Sequence, residues 1–273
     1  MLFSGAARRQ QRAADRAENG SPYYSTPRWA LRQARQLLYP RRCPFCNRVL
    51  GSIALCPDCR PELERLRRKP GMYLDESKHY LENLSGAAAP FRYEGRVRQG
   101  ILHAKYQAAP WAAVEMGVLL AEHATGAAVR MRGAEPQPQR VGGYSLAYGC
   151  IVPVPVSGSR RGYNVPELLA LPLEQATGVP LERAALRCTR VKKRQAGLAL
   201  GERFANVSGA FCADPELVEG RNILLVDDVI TTGATVTACT QALLAAGAVS
   251  VFALAMATVE EETSFFEKFA GNA

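Results

Sequence analysis

The clearest hydrophobic pattern in the chain is an unbroken apolar run that ends at two adjacent carboxylates. The run, ILLV at 223–226, lacks polar alternation and therefore predicts a strand buried on both faces of a parallel sheet. Asp227 and Asp228 follow it, and a loop rich in threonine and glycine comes next. Ligands of open α/β sheets bind beyond the carboxyl ends of the strands, so the pattern predicts a binding site at this point.

A helix and a further strand are predicted after the loop. From Ala234 onward the chain is rich in helix-favouring alanine and carries an apolar face, and Gly247 is the predicted C-cap. The apolar run 250–257 then predicts the next buried strand. Taken alone, this pattern also fits an ordinary strand–helix–strand crossover with two solvated acids at the strand end.

The loop between strand and helix has the composition of a site for a phosphorylated sugar. Asp227 and Asp228 can accept hydrogen bonds from sugar hydroxyls. The turn that follows offers backbone N–H groups and threonine hydroxyls to a phosphate, and the lack of a side chain at Gly233 lets the backbone approach an anion closely. The predicted phosphate-binding residues are Thr231, Thr232, Gly233, Ala234 and Thr235.

Apolar periodicity outside this unit predicts a larger α/β domain. Helical spacing is found around 97–106 and 111–123, and Pro166 suits the first position of a helix that ends near Thr177. The run CIVPVPV at 150–156 predicts another strand. We therefore expect helices and buried strands to alternate through the second half of the chain.

Composition narrows the class of protein. Hydrophobic residues make up 48% of the chain, which is enough for a sizeable core. No apolar run approaches the ~20 residues of a membrane span, and no apolar stretch of a secretory signal follows the N-terminal arginines. We expect a cytoplasmic protein without a membrane span. The arginine-rich, acid-poor start also loosely fits an organellar transit peptide, which is the weaker interpretation.

The net charge of +9 is concentrated near the N-terminus. Residues 1–70 hold 15 basic and 5 acidic residues, a net charge of +10, so the remaining residues have a net charge of −1. Aromatic residues interleaved with arginines in 1–42 could stack on bases and contact phosphates of single-stranded DNA. The favoured interpretation of this stretch is nevertheless a mobile, solvated extension.

Four of the eight cysteines form two CxxC pairs at short separation. Cys43, Cys46, Cys56 and Cys59 could supply four thiolates to a tetrahedral zinc ion. The segment is too short to bury a core of its own, so we expect metal binding to supply its folding free energy. Two disulfides or free thiols are the alternatives, and a cytosolic location disfavours stable disulfides.

Several motifs, taken in order, resemble those of the ComF family, which are phosphoribosyltransferase-like proteins linked to DNA uptake in competent bacteria. The motifs are the two CxxC pairs, YEGRVRQGILHAKY, VPVP followed by RGYN, and VDDVITTGAT. The last by itself resembles the phosphoribosyl-pyrophosphate (PRPP) motif of type I phosphoribosyltransferases. The resemblance covers roughly residues 37–258.

The resemblance implies an α/β protein with the type I phosphoribosyltransferase fold, in which helices and a small hood flank a parallel sheet, and with an N-terminal zinc-ribbon-like module that contains the four paired cysteines. We accordingly expect a basic, mobile extension at 1–42, the zinc-ribbon-like module at 43–62, a connector at 63–88 and a phosphoribosyltransferase-like domain at 89–273. Within that domain, the polar stretch 191–206 is predicted to be a mobile flap.

The resemblance also implies roles for individual residues. Asp227 and Asp228 would bind the ribose hydroxyls and stabilise the positive charge that develops on the sugar, which makes them the catalytic candidates. Mg²⁺ would accompany the pyrophosphate. Arg160, Arg161 and Lys105 are the candidate cations for PRPP, because guanidinium and ammonium groups suit phosphate oxygens.

Two functions remain open. One is a transferase that moves phosphoribosyl onto an unidentified acceptor, and the other is a non-enzymatic PRPP- or nucleotide-binding accessory protein that acts with single-stranded DNA or a DNA-uptake helicase. The turn before RGYN is shorter than is usual in the family, and this shortening and the basic N-terminal region favour the second. Val165 is a further departure, because it stands where the family has glutamine. A connection to DNA uptake or nucleotide metabolism is expected in either case, and the oligomeric state is not predicted.

Overall fold

The computed structural model describes residues 40–50, 55–68, 71–75, 79, 81–126, 129, 148–156, 162–189 and 209–259. The helices in this part of the chain are α1 (Arg60–Leu66), α2 (Gly95–Tyr106), α3 (Pro110–Thr125), α4 (Val165–Thr177), α5 (Pro215–Val218) and α6 (Ala234–Ala245). The strands are β1 (Gly86–Ala88), β2 (Phe91–Arg92), β3 (Cys150–Pro153), β4 (Leu186–Cys188), β5 (Phe211–Ala213), β6 (Asn222–Ile230) and β7 (Ser250–Thr258).

In the described part of the chain, five parallel strands form the central sheet. β6 and β7 lie side by side in its middle, β3 pairs with β6, and β1 and β2 both pair with β7. Because every pairing is parallel, the carboxyl ends of the strands lie at one edge of the sheet, called the carboxyl edge below. The two central strands are those that the apolar runs predict.

The sheet is buried on both faces, as the lack of polar alternation in β6 predicts. Leu224 and Val226 belong to a hydrophobic cluster with α2, α3 and α4, whereas Ile223 and Leu225 belong to a second cluster with α6. Both side-chain directions of the strand therefore meet apolar neighbours. The predicted α/β architecture, a parallel sheet flanked by helices, is confirmed.

β6 extends beyond the apolar run, which corrects the position predicted for the two acids. The strand continues to Ile230, so Asp227 and Asp228 lie within it and not after its end. Asp227 is in register with Ala255 of β7, and Val229 is again paired. The sequence pattern missed this because backbone hydrogen bonds, and not side-chain polarity, decide how far a strand continues.

The helices agree with the predicted periodicity and differ mainly at their ends. α2 begins at Gly95, where φ is +45°, and α4 has Pro166 in its first turn. α3 and α4 pack closely because Gly117 has no side chain, since a Cβ there would lie 2.6 Å from the carbonyl oxygen of Leu169. β3 ends earlier than predicted, at Pro153, because prolines cannot donate to a sheet ladder.

A second, two-stranded sheet lies apart from the central one. β4 and β5 pair antiparallel, and their buried residues join the hydrophobic cluster that contains α6. The chain between these strands includes the predicted flap at 191–206, which lies outside the described residues. β1 falls within 63–88, so residues assigned to a connector form a strand of the central sheet. The domain limits stay a prediction.

The N-terminal cysteine segment shares its core with the α/β domain. Phe45, Leu63 and Leu66 are buried in the same cluster as α2 and α3. We use the name cysteine module for residues 40–50 and 55–66. Burial against the domain therefore contributes to the folding of this module together with any bound metal, whereas the sequence suggested metal as the source of its folding free energy. Among the described helices, none combines the length and apolar character needed to cross a membrane.

Candidate functional site

The two acids of β6 lie next to each other and are almost fully buried. Asp227 is 8% exposed and Asp228 is 6% exposed. The backbone N–H of Asp228 donates a hydrogen bond to Asp227 Oδ1 at 2.8 Å, so the strand itself holds this carboxylate. A buried carboxylate is costly unless it is paired. The second acid is paired with a group from elsewhere in the chain.

That group is Lys105, predicted from the sequence as a candidate cation for PRPP. Its Nζ lies 2.8 Å from Asp228 Oδ1. Burial by itself would lower the pKa of Lys105, but Asp228, together with smaller contributions from Asp227 and Tyr93, outweighs this effect and the pKa is raised above its ordinary value. Lys105 therefore keeps its charge at neutral pH and compensates the buried acid. The structure thus brings three of the predicted site residues together.

Tyr93 lies at the same edge, although the sequence assigned it no role in the site. Its backbone N–H donates to the carbonyl oxygen of Thr258 at 2.7 Å, which places it beside the end of β7. Burial raises the pKa of the phenol, Lys105 lowers it and Asp228 raises it, so the phenol lies within electrostatic reach of both charges. The signal in the sequence was its position directly after the short strand β2.

The loop after β6 leads directly into the N-terminus of α6. Gly233 is the N-cap and has φ +87°, a left-handed conformation that suits glycine. The first turn of α6 contains no acidic side chain, so the positive end of the helix dipole is available to an anion. The predicted phosphate-binding residues differ in exposure to solvent. Thr231 is exposed, Thr232 and Thr235 are half-buried, and Gly233 and Ala234 are buried.

Two predicted cations cannot be assigned a place at this site. Arg160 and Arg161 lie outside the described residues, so their contact with a ligand stays a prediction. The loop that contains them leaves β3 at the carboxyl edge and returns at Asn164, whose Nδ2 donates to the carbonyl oxygen of Val154 at 3.0 Å. The described ends of the loop therefore lie at the same edge of the sheet as the acids.

The four predicted metal ligands form a compact cluster. Their sulfur atoms all lie within 4.8 Å of one another. The Cys43–Cys59 and Cys46–Cys56 sulfur pairs are 3.8 Å and 3.7 Å apart, too far for disulfides, whose sulfurs are about 2.05 Å apart. Tetrahedral zinc with Zn–S bonds of about 2.3 Å requires sulfur separations of about 3.8 Å. The cluster could therefore hold a metal such as zinc.

The surroundings of the cluster favour the protonated form of two of its thiols, those of Cys43 and Cys59, until a metal binds. Burial raises the pKa of Cys43 to about 11, and it raises the pKa of Cys59 still further. A metal must therefore displace protons when it binds. An ion pair between Arg48 and Asp58 links the two CxxC turns beside the cluster.

Comparison with known protein families agrees with this architecture. The phosphoribosyl transferase domain family matches residues 152–265, a range that includes β6, its two acids and the loop into α6. Lys105 and the four cysteines lie before the matched range. This match, the parallel sheet flanked by helices and the N-terminal cysteine cluster together confirm the predicted fold class.

The related proteins match the chain over segments of different length. The DNA utilization protein YhgH of Salmonella typhi is 28% identical over 82% of this chain and 92% of the relative. Competence protein F of Haemophilus influenzae is 26% identical over 71% of this chain and 80% of the relative. The match to YhgH of Escherichia coli K12 reaches 38% identity, but it spans 34% of this chain and only 40% of that relative.

Two solved structures are similar over about half of the chain. One, described as the allosteric regulatory enzyme of purine biosynthesis, is 22% identical with a TM-score of 0.33, covering 52% of this chain and 25% of that chain. The other, TT1426 from Thermus thermophilus, is 17% identical with a TM-score of 0.28, and the match covers 57% of this chain and 88% of that chain. Both TM-scores are too low to support an inference.

Proposed function

Since the chain belongs to the ComF family, we propose that it binds PRPP, or a phosphoribosylated ligand, together with Mg²⁺ at the carboxyl edge. The observation that carries this proposal is the buried acid pair of β6, followed directly by a turn that contains Gly233 and by the N-terminus of α6. Carboxylates suit the hydroxyls of a ribose, and backbone N–H groups suit its phosphate. The names of the relatives support a connection to DNA uptake.

In the proposed mechanism, the 5′-phosphate binds the N–H groups and hydroxyls of residues 231–235, and Asp227 and Asp228 accept hydrogen bonds from the ribose hydroxyls. Transfer would break the bond between sugar C1 and pyrophosphate, which leaves with the electron pair, and would form a bond from C1 to a nucleophilic atom of the acceptor. Positive charge develops on the sugar between these two events. The two buried carboxylates beside it stabilise that charge. Bound Mg²⁺ would supply charge neutralisation for the leaving pyrophosphate. Arg160 and Arg161 are proposed to contact the pyrophosphate from the loop after β3.

Lys105 must share or give up its contact with Asp228 when a ribose binds. Sugar hydroxyls then replace the ammonium group as donors to the carboxylate. The freed ammonium group is proposed to turn toward a phosphate oxygen of the ligand, where its charge is again compensated. The 2.8 Å ion pair and the raised lysine pKa support this exchange, because they mean that the lysine is charged before the ligand arrives.

Calorimetric titration with PRPP and Mg²⁺ tests the proposal. The Asp227→Asn, Asp228→Asn double variant should bind at least about 30-fold more weakly, because a hydrogen bond to a charged group contributes about 1.5–3 kcal/mol. Asp214→Asn is the matched control, since Asp214 caps the short helix α5 and asparagine is an equally good cap. Unchanged affinity in the double variant would refute the assignment of the acids to the ribose.

A second candidate function is a non-enzymatic PRPP- or nucleotide-binding protein that acts in the cytoplasm with single-stranded DNA or a DNA-uptake helicase. The net charge of +10 in residues 1–70 favours it. Pyrophosphate release with a nucleobase or an amine would select the transferase. Ligand-dependent DNA or helicase binding without turnover would select the accessory protein, and DNA affinity should then fall steeply with salt and vanish on deletion of residues 1–42.

A further inference from the structure

Helix α2 connects the cysteine module with the carboxyl edge. The helix has 12 residues, which corresponds to a length of about 18 Å. Lys105 lies in its last turn and reaches Asp228, while its first turn contacts the cysteine module. Any displacement of the helix relative to the sheet would therefore move the ammonium group relative to the acid that it compensates.

A carboxylate from the cysteine module caps the N-terminus of α2. The backbone N–H of Arg96 donates to Glu62 Oε1 at 3.1 Å, and Arg96 Nε lies 3.5 Å from Glu62 Oε2. The helix's own N-cap residue, Glu94, makes no side-chain cap, and its first turn contains no acid. An anion at this end satisfies a donor and complements the helix dipole. Glu62 therefore supplies a cap that α2 lacks.

Glu62 is itself tied closely to the metal ligands. It lies in the first turn of α1, and the N-cap of α1 is Cys59, one of the four cysteines of the cluster. A metal that orders the cysteines would therefore fix the start of α1 and, through it, the carboxylate that caps α2. The resulting chain of contacts leads from the cluster through two helices to Lys105.

Further contacts hold α2 against the module along its length. A Cβ at Gly95 would collide with Glu62 Oε1, and a Cβ at Gly100 would lie 2.7 Å from Phe45 Cδ1. His103 Nδ1 lies 3.4 Å from the carbonyl oxygen of Pro44. These contacts occur at successive turns of the helix, and the two glycines permit the close approach that they require.

We propose that the metal-loaded cysteine module positions Lys105 against Asp228 by holding helix α2, with Glu62 as the positioning residue. The part of this proposal that concerns ligand affinity rests on the proposed function, whereas the part that concerns the position of Lys105 does not. Glu62 contacts neither acid of β6 among the interactions of the described residues, so it acts through the helix. The module is thus a structural support for the site in addition to being a metal centre.

The test compares Glu62→Ala with Glu64→Ala in the full-length, metal-loaded protein. Both residues lie on α1 and both form ion pairs with arginines close by in sequence. Among the contacts of the described residues, Glu62 binds α2 and Glu64 does not. Hydrogen exchange should become several-fold faster at residues 96–106 in Glu62→Ala, and Lys105 should react several-fold faster with an acetylating reagent followed by mass spectrometry. Glu62→Gln, which keeps an acceptor but loses the charge, should fall between Glu62→Ala and the unchanged protein.

Each outcome decides part of the proposal. Equal exchange and equal Lys105 reactivity in the two alanine variants, with zinc retained, would overturn it. A more reactive Lys105 with unchanged PRPP affinity would overturn the effect on binding alone. If the unaltered protein binds no PRPP, the proposed function fails, and the reactivity of Lys105 still decides the positioning role. Should Glu62→Ala lose its zinc, the comparison of Glu62→Gln with Glu64→Ala decides it.

Discussion

The cysteine cluster and the acid pair of β6 both concentrate groups that can bind a cation, but the source of that cation differs. At the cluster, four sulfur atoms lie within 4.8 Å of one another and could supply all four ligands of a tetrahedral metal ion. That cation must come from outside the chain. At the acid pair, the cation is already present as Lys105, 2.8 Å from Asp228. A backbone N–H holds the other acid.

We propose that this difference separates a structural site from an exchangeable one. Four thiolates around a metal would leave no open position, so a metal-loaded cluster would stabilise the fold and offer nothing to a substrate. The lysine ion pair can be replaced, because sugar hydroxyls can donate to Asp228 in its place. Changes at the cysteines should therefore affect stability most, and changes at the acid pair should affect ligand binding most.

Loss of one metal ligand should have the largest effect. Cys56 is fully buried, and Cys56→Ser leaves three thiolates for the metal. We expect most of the zinc to be lost and the free energy of unfolding to fall by at least about 3 kcal/mol, or about 6–12 °C in thermal midpoint. Metal analysis and thermal denaturation measure both quantities. The exposed Cys212 lies outside the cluster, so Cys212→Ser should change neither, and equal zinc content in the two variants would contradict the assignment.

Acid should release the metal. Burial raises the pKa of Cys43 to about 11 in the metal-free protein, so this thiol keeps its proton at neutral pH. Lowering the pH therefore favours the protonated, metal-free protein over the metal-bound protein. Zinc affinity should therefore fall as pH falls, by about tenfold per unit for each proton displaced. Competition with a chromophoric chelator between about pH 6 and 8 measures this slope. An affinity independent of pH would show that the thiols do not bind the metal.

Removal of the Lys105 ammonium group should destabilise the buried Asp228 and weaken ligand binding, without changing the zinc content of the cysteine cluster. Lys105→Met leaves Asp228 buried without its ion-pair partner, at a cost of about 1–3 kcal/mol, since Lys105 is 25% exposed. PRPP affinity should fall about tenfold, equivalent to about 1.4 kcal/mol, with normal zinc content. Arg98→Met, an exposed cation on the same helix, is the control. Similar losses of affinity in both variants would indicate a general charge effect and contradict a specific role for Lys105.

The smallest effect is expected where the two regions meet. Alanine in place of an exposed helical glycine stabilises by about 1 kcal/mol. At Gly100 the added Cβ would lie 2.7 Å from Phe45 Cδ1, so Gly100→Ala should instead destabilise by about 1 kcal/mol in denaturant unfolding. Gly71→Ala, where nothing lies within 4 Å of the added atom, should lose no stability. A gain of stability at Gly100 would show that the module and α2 are not closely packed there.

The sequence predicted the central strands and the acid–threonine loop because these depend on local pattern. The run at 223–226 is apolar on both sides of the strand, and glycine at 233 is needed for a left-handed turn. The compact cysteine cluster was predictable for the same reason, because the spacing within each CxxC pair is a local feature.

Contacts between distant residues could not be predicted in the same way. Lys105 and Asp228 are 123 positions apart, and only the folded sheet brings them together. The cap that Glu62 gives to α2 likewise depends on the packing of two helices. The extension of β6 through its acids also escaped the pattern, because polar side chains interrupt an apolar run without interrupting backbone pairing.

A crystal structure of the complex with PRPP and Mg²⁺ tests the central claim most directly. We predict the 5′-phosphate within hydrogen-bond distance of the backbone N–H groups of residues 232–235, and the ribose hydroxyls on Asp227 and Asp228. Lys105 Nζ should have moved from Asp228 toward a phosphate oxygen. A ligand bound elsewhere, or bound with the 2.8 Å Lys105–Asp228 contact intact and no ribose contact to either acid, would contradict the account.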